Sequence, residues 1–314
     1  MKAYLASKIA ALLFVLLGVT TLAFVLGRLA PGDPAEIVLE RALGRPPTED
    51  QIDSMRQHMG LDRPVAAQYA AWITGVAHGE LGQSWGSGDR VSALLLERLP
   101  RTLLLATTAL GLSVAVALPL GVWAAARTGS PVDHLTRMSA VLSTSLPTFF
   151  IGYVLMYLFG VRLRLLPIFG FGSLLHLVMP AVTLAFATTG MLMRVTRASV
   201  SEALQQPFVL AAMARGVPRV VVLYRHALKA ALVPILAVGA FAAGHLLSGA
   251  MIVEWMFSWP GLGTLGLDAI YNRDYPLIQG LVLVSGTAFT LVTFAADIAY
   301  AWADPRIHLQ QGRV

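Results

Sequence analysis

Long apolar runs constrain this chain more than any other feature. A helix needs about 20 mostly apolar residues to cross the hydrocarbon core of a bilayer. Six stretches of that kind lie at 9–26, 103–126, 138–161, 174–193, 231–253 and 277–301. Composition points the same way: 56% of residues are hydrophobic, 13% are charged, and the mean hydropathy is +0.69. Such a chain has too little charge to coat a soluble domain. The expected fold class is all-α integral membrane, with six transmembrane helices. The first run follows "MKAYLASK" and exceeds the apolar region of a secretory signal. No small-x-small cleavage site follows it, so it reads as a retained signal anchor.

Basic residues in the connections set the orientation. With the N-terminus inside, the cytoplasmic segments hold Lys2, Lys8, Arg127, Arg137, the basic residues from Arg194 to Lys229, and Arg306 and Arg313. The opposite side holds the acid-rich stretch 30–100 and a loop with Glu254, Asp268 and Asp274. Both termini are then cytoplasmic, although Arg162 and Arg164 run against the rule. The implied organisation is a first membrane helix at 1–29, an extracytoplasmic helical cap at 30–100, a five-helix core at 101–302 and a tail at 303–314. Within the cap, Thr48 and Gln51 have capping-box spacing, Ile52, Met55 and Met59 recur at helical spacing, and Gly60 suits a helix stop. Pro64 opens a second amphipathic run through Tyr69, Trp72 and Val76. This cap is either a packing lid or a surface that receives a soluble partner.

Several function classes drop out. A sequence pI near 9.9 raises nucleic-acid binding, but membrane proteins concentrate basic residues in cytoplasmic loops, and no basic patch with interleaved aromatics is present. The absence of cysteine excludes disulfides and thiolate metal sites. "PGLGTLG" at 260–266 matches the dinucleotide pattern G-x-G-x-x-G at Gly261, Gly263 and Gly266. That pattern belongs after a strand and before an acidic residue about 20 positions on, so a tight glycine-rich turn is the better reading. "GQSWG" at 82–86 matches the nucleophile elbow around Ser84, but six hydrophobic spans offer no α/β sheet to build one. There is no H-E-x-x-H pair and no span with two carboxylates. Asp297 lies near the cytoplasmic end of a span, where anchoring is favoured over substrate contact.

The connection between the fourth and fifth spans is more informative. A short helix at 208–215 is introduced by Pro207 and stopped at Gly216, and Pro218 begins another helix. Arg215 complements the negative end of the first helix. The apolar "FVLAAMA" surface suits either a groove in a protein partner or the lipid interface.

"AAMARGVPRVVVLYRHALKAALVP" in this connection resembles the cytoplasmic loop of binding-protein-dependent ABC transporter permeases. The family pattern is Glu-Ala-Ala, three residues, then Gly. Ala211, Ala212 and Gly216 stand at the two alanine positions and the glycine position. "RHALKAALVP" resembles the peptide and nickel branch. So do "RLAPGDP" at 28–34, "MGLDRP" at 59–64, "GELGQS" at 79–84, "SLPTFF" at 145–150, "FSWPGLG" at 257–263, "NRDYPLIQG" at 272–280 and "DPRI" at 304–307.

The resemblance implies a permease subunit of an importer for peptides or nickel, free or chelated, in the bacterial inner membrane. It implies that this chain binds no cofactor, with ATP and Mg on two separate ABC ATPase subunits. A second, homologous permease and an extracytoplasmic substrate-binding protein are the other expected partners, besides membrane lipid. The coupling loop would be 197–230, with Phe208, Ala211, Ala212, Arg215 and Gly216 at the ATPase contact. Pro260, Gly261 and Gly263 would form a turn at the external mouth. Pro119, Pro147, Pro180 and Pro234 lie in or beside spans and are candidate hinges. His245 and Glu254 are candidate pathway residues, though His245 equally suits a hydrogen bond to a carbonyl across helices. Met191 and Met193 read as packing, and His58, His78 and His176 lack the spacing of a metal site. A membrane enzyme or a passive channel is the alternative from another class.

Overall fold

The computed structural model describes residues 2–29 and 32–303. The "DPRI" motif, Arg306, Arg313, part of "RLAPGDP", and the side chains of Lys2, Lys8 and Asp297 lie outside the described residues. In chain order the helices are α1 (Lys2–Leu29), α2 (Pro34–Leu43), α3 (Glu49–His58), α4 (Val65–Ala77), α5 (Val91–Ala126), α6 (Pro131–Ser145) and α7 (Thr148–Leu155). A π-helical turn, Met156–Arg162, extends α7. Then come α8 (Leu174–Leu204), α9 (Pro207–Ala214), the single turn α10 (Arg219–Val221) with a π turn Val222–Ala227, α11 (Leu228–Met256), α12 (Leu262–Tyr271) and α13 (Tyr275–Ala303). Among the described residues there is no strand, only an isolated bridge between Gln83 and Arg90. Five helices are long and apolar enough to cross a membrane, or six if one sharply bent pair is a single span. The chain is an all-α membrane protein, as its apolar runs require.

The bent pair is where the expected spans need correction. A continuous helix over 138–161 is replaced by α6 and α7, which meet at 101°. Pro147 has no N–H to donate and disfavours the helical conformation in the residue before it. Leu146 accordingly takes an extended conformation (φ −83°, ψ 133°). Pro180 and Pro234 instead lie inside the helices α8 and α11, and Pro119 inside α5. Only Pro147 among the four candidate hinges interrupts its helix.

The chain divides into two compact units. One comprises Met1–Arg101 and Gly261–Thr287. Its core joins Val91 and Leu95 to Leu262, Leu265, Ala269, Leu277 and Leu281. Gly280 is required for this approach, because a Cβ there would come within 2.5 Å of Val91. The cap helices follow from local chemistry. Asp33 Oδ1 accepts from the Ala35 N–H at 2.9 Å and so caps α2. Gln51 accepts from the Thr48 N–H at the start of α3. Gly60, at φ 66°, ends α3 through the Leu61 N–H to Arg56 carbonyl bond. Tyr69 and Trp72 of α4 pack on Phe24 of α1, at ring-centroid distances of 5.3 and 6.1 Å. Arg56 pairs with Asp33, and that hydrogen bond raises the guanidinium pKa above its ordinary value.

The other unit comprises Thr102–Pro260 and Ala288–Val314. Its largest core cluster includes Leu105, Met179, Leu184, Val253, Phe257 and Trp259. Small residues let its helices approach closely, as polar-poor membrane interfaces favour. A Cβ on Gly190 of α8 would strike Ser143 Oγ and lie 2.9 Å from the Ala140 carbonyl of α6. A Cβ on Gly121 of α5 would lie 2.7 Å from the Thr196 side chain of α8.

Candidate functional site

The short apolar helix predicted at 208–215 is α9. Pro207 occupies its first turn after Gln206, whose backbone is extended (ψ 142°). Its end is a Schellman stop: Gly216 sits at φ 80°, its N–H bonds to Met213, and the Val217 N–H reaches the Ala212 carbonyl. The helix has a seat and an open face. Val209 and Ala212 are buried against Val222, flanked by Leu204 and Val217. Phe208, Leu210 and Met213 are half exposed, and Ala211, Arg215 and Gly216 are exposed. Ala212 is therefore placed in the seat of the helix, unlike the other expected contact residues. Beside α9 lies a cavity of about 730 Å³ bordered by Arg127, Thr128, Met213, Val217, Arg219 and Leu223.

Two arginines bracket α9. Arg197, near the end of α8, donates from Nε to Asp133 Oδ1 at 2.6 Å and from Nη2 to Oδ2 at 2.9 Å. Asp133 lies in the first turn of α6, is 1% exposed, and also accepts from the Gly129 N–H at 3.0 Å. Its own N–H is capped by Ser130 Oγ. Gly129 is at φ 79°, a conformation that glycine adopts without strain, which fixes the turn between α5 and α6. After α9 in the chain, Arg219 Nη2 donates to the Ala126 carbonyl at the end of α5, at 2.8 Å. None of these pairings was visible in the sequence, where Asp133 and Arg197 are only two charges among loop residues.

The glycine-rich stretch departs from expectation. The chain turns at Phe257–Gly261, with Ser258 at φ 51°, but Gly261 caps α12, and Gly263 and Gly266 lie buried inside that helix. Gly263 and Gly266 are thus helix residues and not part of a tight turn. The stretch follows a helix, so the strand that a dinucleotide fingerprint needs is missing among the described residues.

Ser84, matched by the nucleophile-elbow pattern, is buried and structural. Its Oγ donates to Asp274 Oδ2 at 2.5 Å and accepts from the N–H groups of Gly86 and Ser87. Asp274 also accepts from Gly86 N–H and from Leu277 N–H in the first turn of α13. Trp85 meets Tyr275 edge to face at 5.5 Å. Two separate motifs, "GELGQS" and "NRDYPLIQG", thus form one junction.

The candidate pathway residues part company. His245 is exposed on α11, its ring parallel to Phe241 at 6.3 Å. Glu254 is fully buried and accepts from Thr102 Oγ1 at 2.6 Å. Met193 is packed in the core. His78 and His176 bond to Thr74 and Ser173. Among the described residues no group of three or more His, Cys, Asp or Glu could hold a metal.

Comparison with known proteins is consistent along the whole chain. The family model described as "Binding-protein-dependent transport system inner membrane component" matches residues 117–309, and its N-terminal companion matches residues 1–106. The "Probable peptide ABC transporter permease protein" of Sinorhizobium fredii is 37% identical, covering 98% of this chain and 99% of the relative. The di/tripeptide transport system permease protein of Pseudomonas aeruginosa is 34% identical over 99% of this chain and 100% of its own. The oligopeptide transport system permease protein of Bacillus subtilis is 32% identical, over 98% and 99%.

Proposed function

Because the chain belongs to the binding-protein-dependent transport system inner membrane components, we propose that it is the permease subunit of an ABC importer for peptides. The observation that carries this reading is end-to-end similarity to relatives named for peptide transport. Peptides therefore take precedence over nickel as cargo.

In this reading the protein sits in the bacterial inner membrane beside a second, homologous permease, with both termini in the cytoplasm. A soluble or lipid-tethered binding protein delivers cargo to the cap formed by α2, α3 and α4. ATP and Mg bind to two separate ABC ATPase subunits, and this chain binds neither. The half-exposed Phe208, Leu210 and Met213 on α9 meet the ATPase, together with Ala211, Arg215 and Gly216. An exposed apolar helix face favours a protein groove. Ala212 supports the contact from beneath. With leucine at 210, where the family pattern has Glu, the contact is mainly apolar. His245, exposed on α11, is the pathway candidate, and the turn containing Pro260 and Gly261 shapes the outer mouth.

The test is uptake by cells expressing the complete transporter, using labelled trialanine and radioactive nickel side by side. Trialanine accumulation that unlabelled peptides abolish, with no nickel uptake, supports the proposal. Nickel uptake indifferent to peptides would replace peptide by metal as the cargo.

A further inference from the structure

We propose that Asp133 and Arg197 form a positioning clasp that carries movement of α9 into the packed helices α6 and α8. The inference rests on the reading of α9 as the coupling helix. Its starting point is that the arginines on either side of α9 grip the two ends of one connection, that between α5 and α6. Arg219 holds the Ala126 carbonyl, where the connection begins. Arg197 holds Asp133, just after it ends, with both donors of a guanidinium fork. The connection itself is fixed by the left-handed Gly129 and by Ser130.

The two ties differ in stiffness. Arg219 makes an exposed bond to a single carbonyl. The Asp133 carboxylate is 1% exposed, receives two bonds from Arg197 and a third from Gly129. A planar fork on a carboxylate defines direction as well as distance, which a lysine ammonium does not. The helices it joins are in close contact further along, where Gly190 lies against Ser143 and Ala140. α8 and α6 therefore move together, and a push on α9 at the end of α8 is delivered to both. Without the clasp, the Gln205–Gln206 link and the end of α8 would absorb the push locally. A buried charge left alone also seeks other partners, which changes the local geometry.

The experiment uses the complete transporter in proteoliposomes, with its ATPase subunits, second permease and binding protein. The readout is trialanine transported per ATP hydrolysed, alongside hydrolysis with and without binding protein. Asp133→Asn should assemble, keep basal hydrolysis, and lower the ratio by about two- to thirtyfold, the range for residues that carry coupling between sites. Arg197→Lys, which keeps the charge and loses the fork, should show the same loss to a smaller degree. A wild-type ratio in both variants overturns the proposal, as does a fall in transport and hydrolysis in equal proportion. If Asp133→Asn does not assemble, Arg197→Lys alone decides, on the same criteria. If the unmodified complex takes up no trialanine, the peptide reading fails, and stimulation of hydrolysis by the binding protein then tests the clasp by itself.

Discussion

Ser84 Oγ and Asp274 Oδ2 lie 2.5 Å apart, joining a loop before α5 to the residue that precedes α13. Both side chains are buried, and Gly86 N–H completes the arrangement. Removing Ser84 leaves a buried carboxylate short of a donor, whereas removing Asp274 takes the acceptor from Ser84 Oγ–H, Gly86 N–H and Leu277 N–H together. Ser84→Ala should therefore cost about 1–3 kcal/mol, as for a buried polar group left unsatisfied. Asp274→Ala should cost more. Thermal unfolding of the detergent-solubilised protein checks the order of the two.

The two faces of α9 should respond differently to charge. Val209 is fully buried in the seat and Phe208 is half exposed. Val209→Asp buries an unpaired carboxylate and should prevent normal folding, at a cost of several kcal/mol. Phe208→Asp should leave the protein folded and abolish co-purification of the ATPase subunits. Equal loss of folding in both variants would contradict the assignment of faces.

Gly190 is required by contact rather than by backbone conformation. A Cβ there would strike Ser143 of α6 and crowd the Ala140 carbonyl. Gly190→Ala should destabilise by about 1–3 kcal/mol, typical of overpacking, and Gly190→Leu by more. Gly111, where a Cβ would meet nothing within 4 Å, should accept alanine with unchanged stability. Paired melting curves of the two alanine variants test the contrast.

These contacts show what was legible from the residues. The apolar runs, the Thr48 and Gly60 boundaries of α3 and the Pro207 and Gly216 boundaries of α9 depend on neighbours in sequence, so local chemistry marked them. The Asp133 pair and the Ser84 junction join residues far apart in the chain, and composition holds no trace of such pairing. Ser84 matched a catalytic pattern because a buried hydroxyl between glycines is a recurrent way to shape a loop. Gly263 reads as a turn residue because glycine in a buried helix and glycine in a turn look alike in sequence. Pro147 reads as a candidate hinge, but whether a proline bends or breaks its helix depends on the packing around it.

His245 and Glu254 should respond differently to truncation, one exposed and the other fully buried. His245→Ala removes an exposed side chain and should change stability by no more than about 0.5 kcal/mol, while altering the apparent KM for trialanine uptake. Glu254→Ala leaves Thr102 Oγ1 without the carboxylate it donates to and should lower the melting temperature. A destabilised His245→Ala variant with unchanged uptake would reverse the two roles.

The most direct measurement is trialanine entry into proteoliposomes containing the complete transporter and ATP. The account predicts entry only when the binding protein is present on the cap side and ATP is hydrolysed, with none when a non-hydrolysable analogue replaces ATP. Entry independent of both, or hydrolysis that the loaded binding protein leaves unchanged, would contradict it.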